Sequence, residues 1–266
     1  MSNAFELAEQ AAQEIREKSG ILEYEIALCL GSGWLKTLSG KIVWSVDGSE
    51  IPGFRAAEVE GFSSQISAIQ LDSGKHVLAL PRTHLYQGYG VEAVSHPARV
   101  AAALGARIML LTNGAGGLNP NWKPGQVFLI SDHINLTATS PIEGAKFVDL
   151  TDMYSPRLRA IAKRIDPTLE EVVYAQFRGP HYETPAEVAM VGVVGGHMVG
   201  MSTALEAIAA REVGLEVLAL SMQTNPASGV VAGGVSHEHV LAAGKVGEQR
   251  NSELLSVLCE TLSNEL

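Results

Sequence analysis

Short apolar runs of strand length recur along this chain, at residues 26–30, 76–80, 107–111, 127–131, 172–177 and 217–222, and they constrain its fold more than any other feature. They lack the polar alternation of a strand with one wet face, so they suit strands covered on both faces. Helical patterns separate them: residues 4–18 end near Gly20, 91–104 are Ala-rich, and 204–213 and 237–262 follow later. Residues 41–75 read as strand and loop, with turns at Pro52-Gly53 and Asp72-Ser73-Gly74. Strands alternating with helices predict an α/β fold, a central mixed and mostly buried β-sheet flanked by α-helices. No repeat, low-complexity tract or Pro/Ser-rich linker divides the chain, so residues 1–266 read as a single domain.

A composition of 46% hydrophobic and 18% charged residues can cover such a sheet. The net charge of −10 argues against nucleic acid or an anionic membrane as partner, since both attract basic surfaces. Any bound anion must then be held by a local constellation. Cys29 and Cys259 lie far apart, so neither a disulfide framework nor a metal knuckle is expected. Glu6, Glu9, Glu14 and Arg16 break up the N-terminal apolar clusters, unlike a signal peptide, and no apolar run reaches membrane-spanning length. A soluble cytoplasmic protein is expected.

Polar residues gather where the apolar runs end, the place where open α/β sheets bind ligands. Residues 76–80 stop at Pro81 and lead into Arg82-Thr83-His84-Leu85-Tyr86. If the backbone stays extended, alternation points Arg82, His84 and Tyr86 the same way, clustering a guanidinium, an imidazole and a phenol. The trio reads either as an anion site with a hydroxyl-binding neighbour or as a solvated strand end bonded to its own turn. The first run feeds Gly31-Ser32-Gly33, which suits an anion cradle and equally a tight turn needing small residues. Lys36 stands where a dinucleotide fingerprint would have its third glycine.

Residues 112–120 carry Gly114, Gly116 and Gly117 and are expected to expose more backbone N–H groups at the same sheet edge. Thr184 can cap a helix starting at Pro185, which puts Tyr182 and Glu183 just before it. Glu183 is then either a partner of the helix dipole or a carboxylate reaching a ligand. Gly200-Met201-Ser202-Thr203 opens another helix, with Ser202 or Thr203 as N-cap at a start suited to an anion. Residues 217–222 lead into Gln223-Thr224-Asn225-Pro226. His237 and His239 do not share a helical face, and no set of three ligands gathers, so no metal is expected. His76, His96, His133 and His197 are read as structural.

In order and over nearly the whole chain, seven of these motifs resemble the trimeric purine nucleoside phosphorylases. They are Gly31-Ser32-Gly33, residues 82–89, residues 111–120, residues 132–136, residues 179–187, Gly200-Met201-Ser202-Thr203 and Thr224-Asn225. The resemblance implies attack of inorganic phosphate, a co-substrate, on C1′ of a purine nucleoside, with no cofactor. Ser32, Arg82, His84, the Gly114 backbone N–H and Ser202 would hold the phosphate. Tyr86, Met201 and His237 would line the ribose, with Phe147 arriving from a neighbouring subunit of a homotrimer. Tyr182, Glu183, Thr224 and Asn225 would hold the purine, and Asn225, Glu183 and His84 would carry the chemistry.

The resemblance also points to a base. A 6-oxopurine carries an N1–H that Glu183 can accept, whereas a 6-aminopurine opposes that carboxylate with another acceptor. Asn225 can bond N7 and O6 as charge builds on the departing purine. Members that cleave methylthioadenosine typically carry aspartate there, so the expectation is phosphorolysis of inosine, guanosine and their 2′-deoxy forms, in purine salvage. Two positions depart from the family's pattern: Phe62 follows Gly61 where a histidine is usual, and Trp34 stands where another glycine is common. A methylthioadenosine or 6-aminopurine nucleoside phosphorylase, and a nucleoside-binding protein without turnover, stay open as alternatives.

Overall fold

The computed structural model describes residues 3–31, 34, 40–55, 63–234 and 237–266. Helix α1, Asn3–Ser19, buries Ala4, Ala8, Ala11, Ala12 and Ile15, a stripe at helical spacing. Gly20 ends it at φ +72°, with its N–H on the Arg16 carbonyl. Strands β1 (Ile26–Cys29), β2 (Lys41–Asp47), β3 (Gln65–Gln70) and β4 (His76–Leu80) precede helix α2, Gly90–Ala103. Then come β5 (Ile108–Gly117), β6 (Val127–Asn135), α3 (Pro156–Ile165), β7 (Glu170–Gln176) and α4 (Pro185–Val193). The chain closes with β8 (Met198–Gly200), α5 (Ala204–Glu212), β9 (Glu216–Pro226) and α6 (His237–Asn264).

These strands form one mixed sheet in the order β2-β3-β4-β1-β5-β8-β7-β6-β9, and β9 also pairs with β5. The pairings β5–β8, β8–β7, β7–β6, β6–β9 and β9–β5 therefore close a ring of strands, from which β1, β4, β3 and β2 extend. Both faces are covered. Ala27 and Cys29 of β1 pack with Leu78, Met109 and Val217 on the side of α1, α2 and α5. Ile26 and Leu28 pack with Val77, Leu110 and Leu218 on the side of α3 and α6. Two dry faces are why the runs show no polar alternation.

Three strands run past their expected ends, β5 to Gly117, β6 to Asn135 and β9 to Pro226. The glycine segment after residue 111 is thus strand, and its last two glycines have strands on both sides. Gly116 and Gly117 pair with Val199 and Met198 of β8 and lie opposite Asn225 and Pro226 of β9. Buried polar side chains continue these strands because they bond one another: Ser221 Oγ donates to Asn113 Oδ1 at 2.6 Å, and Asn113 Nδ2 donates to Thr203 Oγ1 at 2.9 Å. Helix α3 was not anticipated, although Ser155 caps it, Pro156 starts it and Lys163 and Arg164 close its last turn.

Candidate active site

The backbone stays extended only as far as His84 (φ −98°, ψ 147°), then folds into a 3₁₀ turn at Leu85–Gln87. Arg82 and His84 accordingly share the buried side, while Tyr86 arrives through the turn and not through strand alternation. It still joins them: the His84 and Tyr86 rings stack with centroids 4.8 Å apart and planes 20° from parallel.

Arg82 Nε donates to Glu206 Oε1 at 2.8 Å and Nη1 donates to the Thr112 carbonyl at 2.5 Å, while the buried Nη2 has no partner among the described residues. A buried guanidinium held on two nitrogens and open on the third is a fixed donor to an anion. The solvated reading of this strand end fails, because Arg82 and His84 are each only 8% exposed. Burial, and then the Arg82 charge, push His84 down to about 3, so near neutrality its ring is an uncharged donor and acceptor.

Gly31 sits against this corner. A side chain there would meet Arg82 Nη1 at 2.6 Å and the Asn113 Cα at 2.8 Å, so only glycine fits. Its N–H donates to Thr112 Oγ1 at 2.9 Å, and the buried Trp34 indole N–H donates to the Asn113 carbonyl at 2.9 Å. The departure at Trp34 therefore fastens the loop to β5. Ser32 and Phe62, the other two positions of interest in these loops, lie outside the described residues.

At the other side, Ser202 is buried, its N–H donates to the Tyr174 hydroxyl at 3.3 Å, and Thr203 is the residue that caps α5. Gly179, at φ +68° before the cis Pro180, has no room for a side chain between Met201 and Tyr86, which brings those two together. His237 opens α6, with its side chain outside the described residues.

Glu183 is 6% exposed, and its Oε1 has no hydrogen-bond partner among the described residues. Burial raises its carboxyl above the ordinary range. Capping of α4 is done by its neighbours and not by Glu183: Thr184 Oγ1 accepts the Glu187 N–H, and Glu187 Oε2 accepts the Thr184 N–H at 2.7 Å. An unsatisfied buried carboxylate opposes folding by roughly 1–3 kcal/mol or more, and a ligand N–H would satisfy it. Tyr182 beside it is 38% exposed. The loop after β9 packs on the same helix, since a side chain on Gly229 would meet Pro185 Cβ at 2.6 Å. Asn225, the penultimate residue of β9, is 7% exposed, with Nδ2 donating to the Pro226 carbonyl at 2.8 Å. The Thr224 hydroxyl bonds Asn225 and β5, so it holds the amide in place.

Phe147 stands apart from all of these at 97% exposed. Three of the histidines read as structural are tied within the fold: His96 donates to the Pro52 carbonyl, His133 bonds the Tyr154 hydroxyl, and His197 accepts the Val173 N–H. Among the described residues no group of three His, Cys, Asp or Glu could hold a metal. Sequence reasoning missed Thr112, Tyr174 and Glu206, although Thr203 followed by Glu206 is a capping-box pattern.

The profile of the phosphorylase superfamily matches residues 25–260. The chain is 53% identical over 262 residues to a purine nucleoside phosphorylase of a Cellulomonas species, covering 96% of this chain and 93% of that one. It is 47% identical over 253 residues to the purine nucleoside phosphorylase of Mycobacterium tuberculosis, covering 94% of each. The crystal structure of Schistosoma mansoni purine nucleoside phosphorylase in complex with inosine superposes with a TM-score of 0.86 at 29% identity, over 96% of both chains.

Proposed function

The chain belongs to the phosphorylase superfamily and, within it, to the purine nucleoside phosphorylases, and from that premise we propose how its own residues divide the work. The reaction is phosphorolysis of a 6-oxopurine ribonucleoside or deoxyribonucleoside, such as inosine or guanosine, to the free base and (deoxy)ribose 1-phosphate. The C1′–N9 bond breaks, a phosphate oxygen bonds C1′, and the proton carried by monohydrogen phosphate ends on the purine. Phosphate is itself the nucleophile, so no activated serine or cysteine is needed. Cys29 suits that: it is buried, and burial raises its thiol far above the ordinary range.

Arg82 Nη2, neutral His84, the Gly114 N–H, Ser202 and Ser32 hold the phosphate. Tyr86 and Met201, gathered at Gly179, line the ribose together with His237, and Phe147 reaches the ribose site of a neighbour in a homotrimer. At 97% exposed, its ring is open to such a contact. Tyr182 faces the purine, Glu183 accepts N1–H, and Asn225, steadied by Thr224, donates toward N7 and O6 as negative charge builds there. The whole of residues 1–266 acts as one domain, without a cofactor, in purine salvage. A cytoplasmic setting fits two free buried thiols. Among the described residues no helix is long and apolar enough to cross a membrane.

One observation carries the 6-oxopurine reading: the buried Glu183 carboxylate with an unpartnered oxygen. A bare N1 acceptor of a 6-aminopurine would leave it unsatisfied and repelled. Steady-state rates on inosine, guanosine, adenosine and methylthioadenosine at one phosphate concentration test it. Inosine and guanosine are expected to lead by orders of magnitude, and faster cleavage of adenosine would refute the assignment.

A further inference from the structure

Glu206, 1% exposed in the first turn of α5, is the buried carboxylate that the division of labour above leaves without a task. We propose that it is a positioning residue that sets the two halves of the phosphate site in register, an inference that rests on the phosphorylase reading. Oε1 accepts Arg82 Nε at 2.8 Å, and Oε2 accepts the Thr203 N–H at 2.6 Å. Arg82 follows β4 and Thr203 follows β8, so one carboxylate ties together segments that are distant in sequence. Cys29 Sγ donates to the same Oε1 at 3.3 Å, which holds the carboxylate from a third side.

Each tie fixes a phosphate donor. With Nε on Glu206 and Nη1 on the Thr112 carbonyl, the guanidinium cannot rotate, and Nη2 is the nitrogen left for the anion. Thr203 adopts φ +84°, a conformation that β-branched residues rarely take and that persists only where its surroundings enforce it. Glu206 holds its N–H, and Asn113 Nδ2 holds its hydroxyl at 2.9 Å. Ser202, the residue before it, has its hydroxyl 3.2 Å from Thr203 Oγ1, so that turn decides where the Ser202 hydroxyl is presented. Glu206 also neutralises part of the Arg82 charge, and thus trades raw anion attraction for geometry.

Glu206→Gln tests this, because glutamine offers one acceptor oxygen where two donors each need one, and its amide must face one of them donor to donor. The phosphate KM is expected to rise at least tenfold, and at least five times more than the inosine KM. Calorimetric binding of inosine without phosphate is expected to stay within twofold of wild type. A smaller split, or weakened inosine binding alone, overturns the proposal. Should that variant not fold, Glu206→Asp decides it: aspartate keeps the charge and both acceptors but is one methylene too short to reach Arg82 Nε and the Thr203 N–H together, so it must show the same split, and wild-type constants would overturn the proposal. Absence of phosphorolysis by the wild-type chain would instead overturn the underlying reading, so the two failures are distinguishable.

Discussion

The Thr224 hydroxyl lies 2.7 Å from Asn225 Oδ1 and 3.0 Å from the Ala115 carbonyl, so its single proton is shared between the side chain beside it and the neighbouring strand. With Asn225 Nδ2 also donating to the Pro226 carbonyl at 2.8 Å, the amide is held at both ends and keeps one N–H for a ligand. Asn225→Asp removes that donor and sets a carboxylate against the Pro226 carbonyl. Efficiency on inosine should fall about 100-fold or more, the range for losing one preorganised donor, while the adenosine-to-inosine ratio rises. Initial-rate kinetics with both nucleosides check this, and unchanged inosine efficiency would remove Asn225 from leaving-group stabilisation.

In its proposed role Glu183 exchanges stability for recognition. Glu183→Gln removes a buried charge with an unpartnered oxygen, so the variant should gain about 1 kcal/mol of stability, or roughly 2–4 °C in Tm for a chain of this size. Inosine efficiency should drop about 100-fold. Thermal denaturation beside kinetics reads both, and a variant that is neither more stable nor less active would contradict the role.

Three histidines, His84, His96 and the half-buried His133, are held down chiefly by burial and make the fold acid-sensitive. Burial, and then the charge of Arg82, hold His84 down to about 3, and burial chiefly holds His96 down to about 4, both from an ordinary 6.5. As pH falls below 6.5 the unfolded chain binds protons that the folded chain refuses. Stability is therefore lost with falling pH, by up to about 1.4 kcal/mol per unit for each histidine, until the folded values are reached. Glu183, raised by burial, works in the opposite direction. In phosphate-free buffer His96→Gln should flatten the pH 6.5 to 5 decline in urea midpoints by about a third, one of three depressed histidines, and an unaltered slope would contradict it.

Phe147 should matter to a neighbour and not to its own fold. At 97% exposed it supports little within the chain, so Phe147→Ala should leave the Tm of a dissociated subunit unchanged and raise the nucleoside KM about tenfold. With nucleoside and phosphate both below their KM values, mixing Phe147→Ala with Arg82→Ala subunits should raise activity above the sum of the two separate variants, because some sites would then be complete. No recovery on mixing, with mixed oligomers confirmed by mass, would count against a shared site.

Much of this was legible in the residues. The apolar runs marked the strands because both sheet faces are covered, and the Thr184-Pro185 start of α4 was readable from capping chemistry alone. What escaped was the polar continuation of β5, β6 and β9, since Asn113, Ser221, Gln223 and Thr224 look like loop residues until their partners are known. The position of Tyr86 was anticipated for the wrong reason, a turn and not an extended strand bringing it to His84. The burial of Glu183, on which its proposed role leans, was not visible in its flanking sequence.

The central claim is phosphorolysis of a 6-oxopurine nucleoside, and the most direct measurement is hypoxanthine release from inosine with and without phosphate. Hypoxanthine and ribose 1-phosphate should appear in equal amounts, only when phosphate is present. Hypoxanthine released at the same rate without phosphate, or none in either case, would contradict the account.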